Sequence, residues 1–120
     1  MLIGVLEFEM LIPGATSLKE KRRVVRSLKD RLHREHQVSV AEIGLLDRRE
    51  AARLGVAAVS ASVPMLQSVL DRIVGKLRQA DGARLGEVSR MIHDTGSWPD
   101  EDDAEPLWTP CERRGDGARS

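Results

Sequence analysis

The segment that most constrains the fold is residues 17–36, SLKEKRRVVRSLKDRLHREH, because its apolar positions recur at helical spacing on one side only. Ser17 is followed three residues later by Glu20, a capping box that predicts a helix beginning at Leu18. At about 100° per residue, one apolar stripe collects Leu18, Val24, Val25, Leu28 and Leu32. Most of the basic residues gather on the opposite side of this predicted helix.

The remaining segments predict four strands and a second helix. The second half of residues 1–12 alternates between apolar and polar side chains until Pro13 and Gly14 break the pattern, which is typical of a half-buried strand. Residues 37–46 and 52–61 read as strands, and the continuous apolar run of 52–61 predicts burial on both faces. Ser62 is positioned to cap a helix that ends at Gly82, and a weaker strand follows over residues 83–92.

This order of elements predicts an α+β fold, a ferredoxin-like βαββαβ sandwich. Right-handed crossovers would place both helices on one face of a four-stranded antiparallel sheet. The other face has no helix to cover it, and Ile3 and Val5 are expected there beside Glu7. A dimer partner or a ligand is therefore expected to cover part of that face.

Composition divides the chain into a folded domain, residues 1–93, and a disordered acidic C-terminal tail, residues 94–120. The first part holds 16 Lys or Arg against 11 Asp or Glu, whereas the second holds three Arg against eight acids. Two interpretations of the tail stay open: it keeps the protein in solution, or it folds back on the basic helix. No role is assigned to Trp98, Trp108 or Cys111, which lie in this tail.

Several classes of protein are disfavoured by the sequence. A single cysteine excludes a disulfide framework or a Cys-based zinc site within one chain. The N-terminal segment lacks a basic leader and is interrupted by Glu7 and Glu9, so neither a signal peptide nor a membrane span is expected, and the predicted compartment is the cytoplasm. No recognisable catalytic motif occurs, so we expect no enzyme, no cofactor and no small-molecule substrate.

The basic side of the first helix is the main candidate for binding. A cluster of cations matches the needs of a phosphate backbone, and the alternative is an ordinary solvated helix face. Lys21 is the odd member, because it projects near the apolar stripe. The residues predicted to contact nucleic acid are Lys19, Lys21, Arg22, Arg23, Arg26 and Lys29.

Two smaller clusters admit a chemical and a simpler interpretation. His33 and His36 stand three residues apart and could reach one metal ion, or they complement the dipole at the end of the helix. Glu7 and Glu9 share a strand face and could act as a carboxylate pair, or they keep an open sheet face hydrated. The simpler interpretation is preferred for both clusters, and no metal site is predicted.

A family resemblance adds to this interpretation. The segments IGVLEFEMLIPGATSLKEKRRVVRSLKDRL, VSVAEI and ARLGVAAVS resemble the YlxP-like family, a small bacterial domain of unknown function, over residues 1–93. The resemblance implies a ferredoxin-like fold and no established activity. Genes of this family are often found beside those for a translation initiation factor and a ribosome-binding factor. The matching residues, none with a proven role in the family, are 17–22, 38–42, Leu54 and Gly55.

Taken together, the sequence predicts a non-enzymatic cytoplasmic module that binds RNA or a ribosomal surface through its first helix. The alternative is a homodimeric protein-interaction domain without a nucleic-acid role, which associates through the open sheet face or an edge strand.

Overall fold

The computed structural model describes residues 1–96 and contains six elements in the order βαββαβ. They are β1 (Leu2–Leu11), α1 (Leu18–His36), β2 (Ser39–Gly44), β3 (Ala51–Ser60), α2 (Val63–Arg78) and β4 (Arg84–Asp94). The strands form one antiparallel sheet in the order β2-β3-β1-β4. The predicted ferredoxin-like sandwich is therefore confirmed.

The core lies between the sheet and the two helices. Alternation along β1 turns Leu6, Phe8 and Met10 inward, and each is at most 1% exposed. The helices meet them with apolar residues three or four positions apart, which share one side of each helix. These residues are Val25, Leu28 and Leu32 on α1 and Leu66, Leu70, Ile73 and Leu77 on α2. Burial of these aliphatic side chains stabilises the fold by about 1.5–3 kcal/mol each.

Helix α2 and strand β2 are shorter than predicted because local backbone turns intervene. Helix α2 ends at Arg78 rather than at Gly82, since the N–H groups of Gln79 and Ala80 donate to carbonyls three residues back. Gly82, with φ +77°, lies instead in the turn before β4. Strand β2 is shorter than residues 37–46, because the left-handed residues Gln37 and Leu45 lie just outside its two ends.

The prediction that residues 52–61 are buried on both faces is wrong within the single chain. Strand β3 is an interior strand, paired with β1 and β2, but both helices cover the same side of the sheet. Leu54 and Val56 point into the core, whereas Ala57 and Val59 point away from it, and Val59 is 66% exposed. One whole face of the sheet is therefore open.

The last described residues lie beside the first, because β4 pairs with β1. Strand β4 includes Asp94, and the N–H and hydroxyl of Thr95 donate to the Met1 carbonyl at 3.0 and 3.1 Å. The remainder of the predicted acidic tail, with Trp98, Trp108 and Cys111, lies outside the described residues. Within residues 1–96, neither helix is long and apolar enough to cross a bilayer.

Candidate nucleic-acid interface on the first helix

The start of α1 is fixed by side-chain caps on both sides of Ser17. The Ser17 hydroxyl accepts from the Glu20 N–H at 3.1 Å, as predicted. The Glu20 carboxylate reaches past Ser17, however, and accepts from the N–H and hydroxyl of Thr16 at 2.6 and 3.1 Å. These bonds, led by the one from the Thr16 N–H, lower the pKa of Glu20. The first turn is thereby held in helical geometry, and the cations that follow have a defined spacing.

Five of the six predicted cations stand on the outer side of α1. Lys19, Arg22, Arg23 and Arg26 are exposed, and Lys29 is half-buried. None of the ion pairs formed within residues 1–96 involves any of these five residues. In the described part of the chain, the nearby carboxylates of Glu20 and Asp30 act on these cations only beyond ion-pair distance.

A groove of about 490 Å³ runs along this surface. Arginine side chains from three successive turns of α1 line it, together with Ser27 and a single carboxylate, Asp30. Its arginines are Arg23, Arg26, Arg31 and Arg34. Four guanidinium groups around one carboxylate make the groove an anion-attracting surface.

The assignment of Lys21 to this binding surface is wrong, because its side chain is buried to 1% exposure in the core. Its Nζ lies 2.9 Å from Glu42 Oε2 on β2. The same ammonium donates to the carbonyls of Leu45, Ala51 and Leu46 at 2.9, 3.3 and 3.4 Å. A cation enclosed by four oxygens has no donor left for a phosphate.

The Lys21 contacts connect α1 with the segment between β2 and β3. The carbonyls that accept from the ammonium belong to both ends of the connection over residues 45–51, and Leu45 carries a φ of +59°. Such a conformation is costly for a residue with a side chain, so the ammonium helps to hold this turn. Lys21 and Glu42, both within the segments that carry the family resemblance, therefore have a structural role.

Two residues of the groove, Arg31 and Arg34, were not predicted as contacts, because the predicted residues all lie in the first two thirds of the helix. Arg31 also lines an adjoining groove of about 300 Å³, where α1 meets Ala80, Asp81 and Ala83 of the turn before β4. The spacing of residues 23, 27, 31 and 34 by three or four positions was an available signal, since it predicts one shared side of a helix. The contact with the α2–β4 turn had no signal in the sequence.

Glu7 and Glu9, which were expected to keep the open sheet face hydrated, are bridged by an arginine from the neighbouring strand. Arg53 on β3 lies 3.2 Å from Glu7 Oε1 and 3.5 Å from Glu9 Oε2. A third carboxylate, Glu87 on β4, lies 3.8 Å from the same guanidinium. The Arg53 cluster, as we call these four residues, marks one end of the open sheet face.

The two histidines at the end of α1 have separate environments. His33 Nδ1 lies 2.9 Å from the Val38 carbonyl. His36 is half-buried, its Nε2 has no hydrogen-bond partner, and burial lowers its pKa. Within the part of the chain that the structure describes, no group of three metal-ligating side chains includes them.

Comparison with known proteins places the chain in a family. A family model described as a protein of unknown function (DUF503) matches residues 3–90. The uncharacterized protein YlxP of Bacillus subtilis (strain 168) is 38% identical over 73 residues, which are 61% of this chain and 79% of that protein. A de novo designed protein with a ferredoxin fold, whose structure was solved by solution NMR, aligns with 90% of this chain and with 100% of its own chain. The sequence identity is 16% and the TM-score is 0.46. The first two matches confirm the resemblance predicted from the sequence.

Proposed function

The chain belongs to the DUF503 family, and because that family's description states no activity, we propose a function from the surface of α1: a non-enzymatic module that binds the phosphate backbone of RNA. The single observation that carries this proposal is the arginine-lined groove on α1, whose cations form no ion pair within residues 1–96. Guanidinium groups recognise phosphate oxygens in bidentate geometry.

The spacing of the cations suits a polymer better than a small anion. Lys19 and Arg34 are fifteen positions apart on one helix, which corresponds to about 22 Å at 1.5 Å per residue. A line of charge of this length can neutralise several successive phosphates and release their counterions. A single phosphate would engage only one turn of it.

Within residues 1–96, no Phe, Tyr or Trp side chain is available for stacking bases. Phe8, the only residue of these three types there, is completely buried beneath the helices. Contacts through α1 would therefore go to phosphates and riboses, and they would carry little sequence specificity. Ribosomal RNA is the partner we favour, in agreement with the gene neighbourhood that the family resemblance implies.

The proposal is tested by measuring RNA affinity as a function of salt concentration. The chain with Arg22, Arg23 and Arg26 all changed to Glu is compared with the wild type, using a labelled oligouridylate and purified ribosomal subunits as probes. Each phosphate contact to a single strand contributes about 0.7 to the slope of log K against log salt. Loss of three contacts should lower that slope by about two units.

A matched control carries the same change in net charge at a different place. Arg48, Arg49 and Arg72 are exposed residues away from the α1 groove, and they too are changed to Glu. This control should retain most of the affinity, because its effect acts only through screened long-range charge. Equal losses in both variants would reduce the binding to a net-charge effect, and absence of wild-type binding at low salt would reject the proposal.

A further inference from the structure

The open face of the sheet has a relief of small and large side chains. On β2 and β3, Ala41, Gly55 and Ala57 line a furrow of about 270 Å³, bordered by Val5 and by Ile43, whose side chain would lie 3.4 Å from a Cβ placed on Gly55. On β1 and β4, Ile3, Val5 and Met91 form a raised strip, and Met91 is 58% exposed. We call Ile3, Val5 and Met91 the sheet ridge, and Ala41, Gly55 and Ala57 the sheet furrow. From these features we propose that two copies of the chain stack their open sheet faces as a two-fold dimer.

The ridge and furrow are complementary under one particular symmetry. The strand order β2-β3-β1-β4 places the furrow on one half of the face and the ridge on the other. Consider a two-fold axis that runs parallel to the strands, between β3 and β1. It reverses the order of the strands across the face, but each residue keeps its position along the strand direction, which we call its level. The axis therefore sets Val5 and Met91 of one copy over the furrow of the other, twice, whereas Ile3 meets Val59, the residue that pairs with it on β3.

The level of each residue follows from the observed register. Val5 pairs with Ala57 on one side and with Met91 on the other, so these three residues share a level. Under the proposed axis, Val5 and Met91 enter the furrow of the partner beside Ala57 and Ser39, the residue that pairs with Ala57. Sheets packed face to face lie about 10 Å apart, a gap that large side chains opposite small ones can fill.

The charges at one end of the face pair Glu9 with Arg53 across the proposed axis, although the Arg53 cluster of each copy carries a net negative charge. The acids of the Arg53 cluster lie on β1 and β4, whereas Arg53 lies on β3. The proposed axis sets Glu9 of one copy opposite Arg53 of the other, because the two residues share a level. An RNA or an anionic membrane would meet three carboxylates and one guanidinium there, so this face is unsuited to either.

The size of the face fits a dimer that dissociates on dilution. At about 3.3 Å per residue and 4.8 Å between strands, the four strands present on the order of 600 Å². Standard protein interfaces bury about 800 Å² per partner, so the face lies toward the lower end of stable association. The polar residues Ser39, Ser89 and His93 at its border resemble the rim of such an interface.

The first test changes one exposed methionine on each side of the sandwich. Met91→Lys places an unpaired charge in the ridge, whereas Met65→Lys places it on α2 at nearly the same exposure, 61%. Sedimentation velocity over a range of concentrations should give a dimer for the wild type and for Met65→Lys. Met91→Lys should raise the dimer dissociation constant by at least about tenfold. Circular dichroism checks that both variants fold.

The second test locates the symmetry axis by cross-linking in a Cys111→Ser background. Ala57→Cys lies on β3 next to the proposed axis, so a short bismaleimide should join two copies through it. Ser39→Cys lies on the edge strand β2 and should not link to itself. A monomeric wild type, a dimer unaffected by Met91→Lys, or linkage through Ser39→Cys alone would overturn the proposal.

Discussion

Replacement of Lys21 by Met is the most direct test of how the first helix is held. The variant keeps a side chain of similar length but removes the ammonium that contacts Glu42 and three carbonyls. Glu42, only 16% exposed, would then face these carbonyl oxygens without a cation. Removal of one partner of a buried pair costs 3–5 kcal/mol, and the residual exposure of Glu42 places the expected loss near the lower limit, at about 3 kcal/mol.

The assay is thermal and urea unfolding followed by circular dichroism, with Lys19→Met as the matched control. Lys19 is exposed on the same turn, so its replacement should change the free energy of unfolding by no more than about 0.5 kcal/mol. A loss of about 3 kcal/mol corresponds to a decrease in Tm of roughly 15 °C for a domain of this size. Removal of both charges in Lys21→Met/Glu42→Leu should restore at least part of that loss. Equal stability of the Lys21 and Lys19 variants would refute the structural role of Lys21.

Four further substitutions probe single features of the fold by the same unfolding assay. Ser17→Ala removes the cap of α1 and should cost about 1 kcal/mol. Gly75→Ala, in open space inside α2, should stabilise by about 0.5–1 kcal/mol, whereas Gly82→Ala, at φ +77°, should destabilise by a similar or larger amount. Because burial lowers the pKa of His36, the folded state binds fewer protons than the unfolded chain below a pH of about 6.5. Stability should therefore fall as the pH decreases through that range, and His36→Gln should weaken the dependence; an unchanged profile would contradict this.

Local patterns predicted the elements well because each depends on neighbouring residues. Alternation along β1, the Ser17 cap and the apolar stripes of both helices all recur in the structure. Such local patterns do not predict the environment of Lys21. At 100° per residue, Lys21 lies about 200° around the helix axis from Lys19 and therefore falls within the apolar stripe. The stripe does not say how the charge would be accommodated, because a lysine is rarely buried without a partner.

The partners of Lys21 could not be identified from the sequence. Glu42 and the carbonyls of Leu45 and Ala51 lie 21 to 30 positions farther along the chain, and only the fold brings them together. The Arg53 cluster has the same origin, because the register of β1 against β3 places Glu9 beside Arg53. Local sequence patterns predict which face of a helix or strand a residue occupies, whereas contacts between elements depend on the topology of the fold.

The two proposed surfaces lie on opposite layers of the sandwich, and this separation makes them independently testable. A dimer through the open sheet faces would direct the two α1 grooves outward, away from each other. One short RNA could then contact only one groove, so Met91→Lys should leave the affinity for a short oligouridylate unchanged. An RNA long enough to pass around the dimer could engage both grooves, and its apparent affinity should decrease in the same variant through loss of effective concentration. Loss of affinity for the short probe as well would mean that the sheet face itself contributes to RNA binding, contrary to the charge of the Arg53 cluster.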